Sequence, residues 1–339
     1  MPTTTAQYSY DEHTIIELAQ HVLDGGEISP DEALGLINVS DENTMLLLAM
    51  ADKIRTKFNG NAVDCCAIIN ARSGRCSENC KFCAQSAHYA TGVEEYPLLS
   101  EEELVAAARK AKGAGAVRFS IVTSGRGQST ANDFDNICQA LARIKKEVGI
   151  EICASLGILT EKQALKLKAI GVTRIHNNLE TAPGHFADIC TTHSFEEKIN
   201  IIRIAQKAGL RVCSGGILGL NETPAQRVEL AFTLKELGID SVPLNLLTPI
   251  AGTPFEHNQA LPALEILRAF AVFRFVLPHA LIRTAGGREV NLRDLQCLAL
   301  NGGLNGIMIG GYLTTNGRSP EQDKIMLKDL GRSLTRPCL

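Results

Sequence analysis

The sequence predicts an α/β fold, a (β/α)8 TIM-type barrel with an N-terminal helical extension, and three observations predict it. From Val63 onward eight short β-branched or apolar runs recur, at 63–70, 117–122, 151–157, 173–179, 211–218, 241–247, 280–284 and 304–309. Amphipathic stretches lie between them, several opened by capping residues. Glycines stop four of these stretches just before the next run. Alternation of strand and helix at this period gives a parallel sheet, and eight such units suggest a closed barrel. An open doubly wound sheet is the other arrangement, but no Gly-x-Gly-x-x-Gly follows a strand here, which weakens a dinucleotide fold.

Taken in order, residues 1–60 read as a helical preface, 61–330 as the barrel and 331–339 as a tail. Within 12–23, Ile15, Ile16, Ala19, Val22 and Leu23 recur at helical spacing. Ser29-Pro30-Asp31-Glu32 combines a capping hydroxyl with proline at the first helical position, and a third helix is predicted over 42–58. Inside the barrel, Ser100-x-x-Glu103 is a capping box. Thr160-Glu161 and Thr223-Pro224 open further helices, and Gly113, Gly171, Gly209 and Gly238 are read as helix stops.

Composition narrows the function classes. Of 339 residues, 45% are hydrophobic and 21% charged, a soluble globular balance with ample core. The net charge is −3 with no basic cluster, so nucleic acid is not an expected partner. No apolar run reaches the ~18 residues of a membrane helix. Met1-Pro2-Thr3-Thr4-Thr5 has neither the basic nor the apolar part of a secretory signal, and the expected compartment is the cytoplasm. There the eleven cysteines should be thiols, metal ligands or core residues rather than disulfides. Cys138, Cys190 and Cys297 read as buried fillers, and Cys338 as tail.

The chemistry concentrates in Arg75-Cys76-Ser77-Glu78-Asn79-Cys80-Lys81-Phe82-Cys83. Three thiols spaced Cys-x3-Cys-x2-Cys can converge on one centre but offer only three ligands. A tetrahedral structural zinc needs a fourth. Iron–sulfur cubanes are also built on thiolates, and there a missing ligand leaves one iron open. A zinc loop and a redox-active thiol set are the other readings of this stretch. A second constellation is more dispersed: Cys65 and Cys66 on the first run, Cys153 on the third, Cys213 on the fifth and Arg283 on the seventh. Barrel interiors fill in layers of about four side chains from alternate strands, so one of Cys65 and Cys66 with the other three would make such a layer. A guanidinium there requires an anionic or acceptor partner. Period-two alternation lets only one of Cys65 and Cys66 face inward, without saying which.

The spacing of Cys76, Cys80 and Cys83, with Phe82 before the last, resembles the radical S-adenosylmethionine enzymes. Ala71-Arg72-Ser73-Gly74-Arg75, Cys83-Ala84-Gln85-Ser86, Asn178-Leu179-Glu180-Thr181, the stretch 211–220, Val242-Pro243-Leu244-Asn245, Gly252-Thr253-Pro254 and the stretch 282–289 are similar to the biotin synthase family, in family order from about residue 63 to 330. The resemblance implies a sulfurtransferase inserting sulfur into dethiobiotin at C9 and C6. It implies a [4Fe–4S] cluster on Cys76, Cys80 and Cys83 that binds S-adenosyl-L-methionine. It also implies a second, auxiliary iron–sulfur cluster, [2Fe–2S] or of four-iron type, on Cys153, Cys213 and Arg283. Carried over too are nucleotide contacts at Phe82, Asn178, Glu180, Ser214, Gly215 and Gly216, substrate contacts at His176, Asn178 and Asn245, a flavodoxin- or ferredoxin-type reductant and a homodimer.

Two departures from the family stand out. Ser120 occupies the second-strand position where the better-known form has a cysteine ligand, and Cys66 stands where that form has serine. Alignment therefore favours Cys66 as the third thiolate. In the fourth run, His176 and Glu180 replace the usual Asn and Asp. Other enzymes of the same barrel family (methylornithine synthase-like, hydrogenase-maturase-like) and a non-enzymatic iron–sulfur carrier or zinc-binding protein are the competing readings.

Overall fold

Nine parallel strand segments close into a ring of eight staves. They are β1 (Asp64–Arg72), β2 (Arg118–Thr123), β3 (Glu151–Ser155), β4 (Arg174–His176), β5 (Arg211–Cys213), β6 (Gly216–Leu218), β7 (Ser241–Leu246), β8 (Leu281–Thr284) and β9 (Gly306–Met308). This computed structural model describes residues 10–128 and 130–334, so Cys338 lies outside the described residues. The sheet order β5-β4-β3-β2-β1-β9-β8-β7-β6 is closed by pairing of β5 with β7. β5 and β6 together are the single fifth run of the sequence, interrupted at Ser214-Gly215. The barrel class and its eight runs are as expected.

The interruption has a steric cause. A Cβ on Gly215 would lie 1.9 Å from the Pro243 carbonyl oxygen, and one on Gly216 would lie 2.6 Å from that of Glu180. Only glycine allows the neighbouring staves to approach this closely. Gly215 also accepts from the amides of Leu179 and Glu180, at 3.0 and 3.2 Å, so the gap ties stave four to stave five.

The helix signals hold with one exception. Ser29, Ser100, Thr160 and Thr223 each close a reciprocal capping box. Gly171, Gly209 and Gly238 adopt positive φ after their helices, but Gly113 ends inside the helix Glu101–Gly113 and Gly115, at φ 103°, makes the turn. The preface forms α1 (Glu12–Leu23), α2 (Pro30–Ile37) and α3 (Asp41–Asn59). Their task is visible in the helix Ala263–Val276, whose residues from Ala269 to Val276 are all buried. A helix apolar all round must be covered on its outer side too, and α2 and α3 pack on it. No described helix is long and apolar enough to cross a membrane.

Candidate active site

A cavity of about 410 Å³ runs down the barrel from the loop after β1, at the carboxyl ends of the strands, where barrels of this kind carry their chemistry. Cys76, Cys80 and Cys83 all line it. Their loop is folded on itself: the Cys76 amide donates to Gln85 O at 2.9 Å, Ala87 N to Cys76 O at 2.8 Å and Cys83 N to Cys80 O at 3.0 Å. It is also strapped to a segment about 110 residues away. Asn79 Oδ1 accepts from the amides of Thr191 and Thr192, at 2.9 and 3.2 Å, and its Nδ2 donates to Thr191 Oγ1 at 2.7 Å. The buried Glu78 accepts from Thr192 Oγ1 at 2.8 Å and pairs with His193 and Arg126.

That strap carries Cys190, which was expected to be a filler. It is buried, but its sulfur accepts from Cys80 Sγ at 3.7 Å and lies 3.3 Å from His193 Nδ1. The hydrogen bond from Cys80 brings the Cys190 thiol down to about 3 and drives Cys80 upward. Among the described residues, Cys80, Cys190 and His193 are the one group of metal-type donors lying within 4.8 Å of one another. Nothing in the local sequence signals this, because the contact joins two loops. Cys297 also departs from expectation, being partly exposed, whereas Cys138 is buried in the core.

Deeper in the barrel, strand alternation sorts the side chains. Cys66 lines the cavity, while Cys65, fully buried, belongs to the apolar core around the barrel. Cys153, Cys213 and Arg283 line the same cavity as Cys66. Asp64 lies beneath them with no exposure and is shared by two guanidiniums, Arg118 Nη2 at 2.9 Å and Arg283 Nη2 at 3.2 Å. Burial pushes the Cys153 thiol up to about 12, against the pull of Arg118 and Arg174. Burial also pushes Cys213 up, but a hydrogen bond from His176 and the charges of Arg283 and Arg174 outweigh it and bring the thiol down to about 6. The Cys66 thiol is raised by burial, with Arg283 opposing. Ser120 faces the cavity with its hydroxyl unpartnered.

The walls hold the remaining expected residues. Asn178 Oδ1 accepts from Gly215 N at 3.1 Å. Asn245 Oδ1 accepts from Gly286 N at 3.0 Å, and its Nδ2 donates to Gly216 O at 3.3 Å. Glu180 is held in the left-handed region, φ 70°, with Ile217 N donating to its carbonyl at 2.8 Å. A non-glycine residue keeps such a conformation only where its surroundings over-determine it. Phe82 packs on an apolar cluster of Ile189, Leu220, Leu247 and Phe255 and turns one side to the cavity. His176, Asn178, Glu180 and Asn245 all line the cavity. Ser214, Gly215 and Gly216 stand behind the lining, which Cys213 and Ile217 form at that stave, because the glycine contacts bring the backbone against Pro243 and Glu180.

Sequence reasoning missed Arg174, Lys198 and the segment from Tyr312 to Thr315, all on the cavity lining. Arg174 had a signal, since it shares the face of His176 and Asn178 at period two. Lys198, 3.9 Å from the Glu180 carboxylate, sits on a helix and had none.

Comparison with known proteins agrees with this geometry. A profile of the radical SAM superfamily matches residues 71–234, and one of the biotin and thiamin synthesis associated domain matches residues 243–333. Among solved structures, a methylornithine synthase superposes with a TM-score of 0.84 at 22% identity, covering 94% of this chain and 98% of that one. A maturase of the [FeFe]-hydrogenase superposes at 0.83 and 18%, covering 97% and 77%. At such identities these two speak for the barrel alone. Sequence relatives reach further. The biotin synthase of Carboxydothermus hydrogenoformans is 50% identical over 318 residues, covering 94% of this chain and 98% of the relative. That of Geobacter sulfurreducens is 50% identical over 321 residues, covering 95% and 97%. With half of all positions shared along nearly the whole of both chains, the protein belongs to the biotin synthase family of radical S-adenosylmethionine enzymes.

Proposed function

We propose that the chain is a sulfurtransferase that forms biotin from dethiobiotin by inserting sulfur between C9 and C6, with S-adenosylmethionine as co-substrate. The observation that carries this is a single cavity with two thiol sets, Cys76, Cys80 and Cys83 at the mouth and Cys66, Cys153 and Cys213 with Arg283 below. An electron carrier or a zinc-binding protein has no need of the second set at the bottom of a substrate-sized cavity.

Both donor sets suit iron–sulfur groups, which take soft thiolates. Cys76, Cys80 and Cys83 would hold the [4Fe–4S] cluster, leaving one iron for the amino acid end of the nucleotide. Cys66, Cys153, Cys213 and Arg283 would hold the auxiliary cluster, [2Fe–2S] or four-iron. Bound together, these groups supply a radical able to open unactivated C–H bonds, and the sulfur that replaces the hydrogens. The chain's own contribution is position and exclusion of water. The Phe82 backbone would face the adenine, Asn178 and Glu180 would hold the ribose, and Ser214 to Gly216 would shape the nucleotide wall. His176, Asn178 and Asn245 would contact dethiobiotin. Arg283 and the lowered Cys213 thiol favour thiolate at the floor, so binding there displaces protons mainly from Cys66 and Cys153. A flavodoxin- or ferredoxin-type reductant, a homodimer, the cytoplasm and a division into 1–60, 61–330 and 331–339 complete the proposal.

The test is iron and sulfide analysis with Mössbauer spectroscopy on protein purified without oxygen, beside single-site variants. Cys80→Ala is expected to abolish reductive cleavage of S-adenosylmethionine. Cys153→Ser and Cys213→Ser should keep cleavage and lose biotin. Cleavage at full rate by Cys80→Ala, or biotin at full yield from both serine variants, defeats the assignment.

A further inference from the structure

The three guanidiniums at the cavity floor are not equivalent. Arg118 and Arg283 share Asp64. Arg174 is 1% exposed and lines the cavity, yet none of its three nitrogens makes a hydrogen bond. It has an ion pair with Asp240, whose Oδ1 lies 3.4 Å from Nη1 but outside hydrogen-bond geometry, while the other oxygen of that part-exposed carboxylate is held by Arg211.

The rest of the chain treats buried arginines differently. Arg274 donates to the carbonyls of Gly303, Leu277, Pro278 and Ala280 and to Asn305. Arg288 pairs with Asp323 and Gln296, and Arg227 with Glu222 and Glu265. Among the described residues, Arg174 is the buried arginine with no nitrogen in a hydrogen bond. A buried guanidinium with no hydrogen bond, and with one loose ion pair to a part-exposed carboxylate, is poorly compensated for its lost hydration. The protein would be better served by an apolar side chain there, unless a further anion in the cavity meets it.

Register says where that anion sits. Cys153 of β3 is paired with Arg174 of β4 on one side and with Ser120 of β2 on the other. Ser120 also turns an unpartnered hydroxyl to the cavity. His176, two residues along from Arg174, is paired with Cys213. Arg174 itself is level with Arg211 on β5, and its charge acts on both the Cys153 and the Cys213 thiols, which puts the guanidinium on the lining near both.

We infer that Arg174 is a positioning residue for the auxiliary cluster, donating charge-assisted hydrogen bonds to a cluster sulfur, an inorganic sulfide or the Cys153 thiolate, at the corner held by Cys153. The inference rests on the reading that Cys66, Cys153 and Cys213 hold such a cluster. Hydrogen bonds and positive charge at the sulfurs stabilise the more reduced, more negative cluster and raise its potential. They also slow the departure of sulfide and iron.

The experiment uses the full chain, purified without oxygen with both clusters in place, as wild type, Arg174→Met and Arg174→Lys. In Arg174→Met the auxiliary cluster's reduction potential should fall and its iron should pass to a chelator roughly tenfold faster. Arg174→Lys, which keeps the charge, should recover part of the potential. The same Arg174→Met chain stripped of iron should melt no lower than wild type, since a buried charge without hydrogen bonds has been removed and Asp240 keeps Arg211. A residue with a merely structural role would show the reverse: a lower melting temperature without iron, and an unchanged potential with it. Unchanged potential and iron release in Arg174→Met overturn the inference. So does a raised KM for dethiobiotin with the cluster unaltered, which would assign Arg174 to the substrate's carboxylate. If Arg174→Met fails to fold, a Lys variant with wild-type potential and release supports the charge requirement, and one as impaired as loss of the cluster refutes it. Wild-type protein lacking iron beyond the first cluster defeats the proposed function itself, an outcome distinct from all of these.

Discussion

Successive side chains of a strand face opposite sides, and at Cys65 and Cys66 that alternation decides which thiol meets the cavity. Cys66 does, whereas Cys65 is in the apolar layer between barrel and helices. Cys66→Ala is accordingly expected to remove the iron of the auxiliary cluster. Cys65→Ala should retain it and lower stability by about 1 kcal/mol, the usual cost of a small core truncation. Ser120→Ala should also largely retain the iron, because a hydroxyl that is not ionised near neutral pH is a poor ligand beside thiolates. Iron content and sulfur transfer, measured on all three variants without oxygen, decide between them. Loss with Ser120→Ala and retention with Cys66→Ala would move the ligand to the second stave.

At the scale of elements, the loop after β1 owes its shape to a segment remote in sequence. The Asn79 side chain makes four hydrogen bonds to Thr191 and Thr192, each worth about 1 kcal/mol net. Asn79→Ala should loosen the strap without unfolding the barrel. The expected signs are faster amide exchange over 190–193 and quicker loss of iron from the first cluster to a chelator; unchanged exchange there would show that the strap does not depend on Asn79. The interruption between β5 and β6 is a second such device. Gly215→Ala drives a Cβ into the Pro243 carbonyl and should cost about 2–3 kcal/mol in chemical denaturation. Gly238→Ala meets nothing within 4 Å and has only its φ of +64° against it, so about 1 kcal/mol is expected.

For the whole molecule, the preface is part of the barrel's core rather than an appendage. α2 and α3 cover the helix Ala263–Val276, in which Phe270, Phe273 and Phe275 are almost completely buried. A chain starting at residue 61 would expose that face and should elute as aggregate in size-exclusion chromatography. Phe270→Ala in the full chain should cost about 3–5 kcal/mol, as for other buried phenylalanines. A soluble, monodisperse chain lacking residues 1–60 would show that the barrel closes its core alone.

Much was legible in the sequence because the signals are local. Period-two and helical spacing, the box at Ser100, the helix openings at Thr160 and Thr223, and the glycines after helices each act within a few residues, and together they specify the eight-stave barrel. Cys76, Cys80 and Cys83 were legible for the same reason, being confined to one short loop. Ser214, Gly215 and Gly216, nucleotide contacts by resemblance, are not among the residues lining the cavity, and the close approach of Pro243 and Glu180 sets where that backbone lies. Resemblance to the family already favoured Cys66 over Cys65, but alternation alone left the choice open, because packing against the outer helices sets the phase of β1. Cys190 beside Cys80, and Arg174 left without a hydrogen bond next to Cys153, needed the closed ring itself. Contacts between staves and loops far apart in the chain are set by closure, and no local pattern encodes which side chains closure brings together.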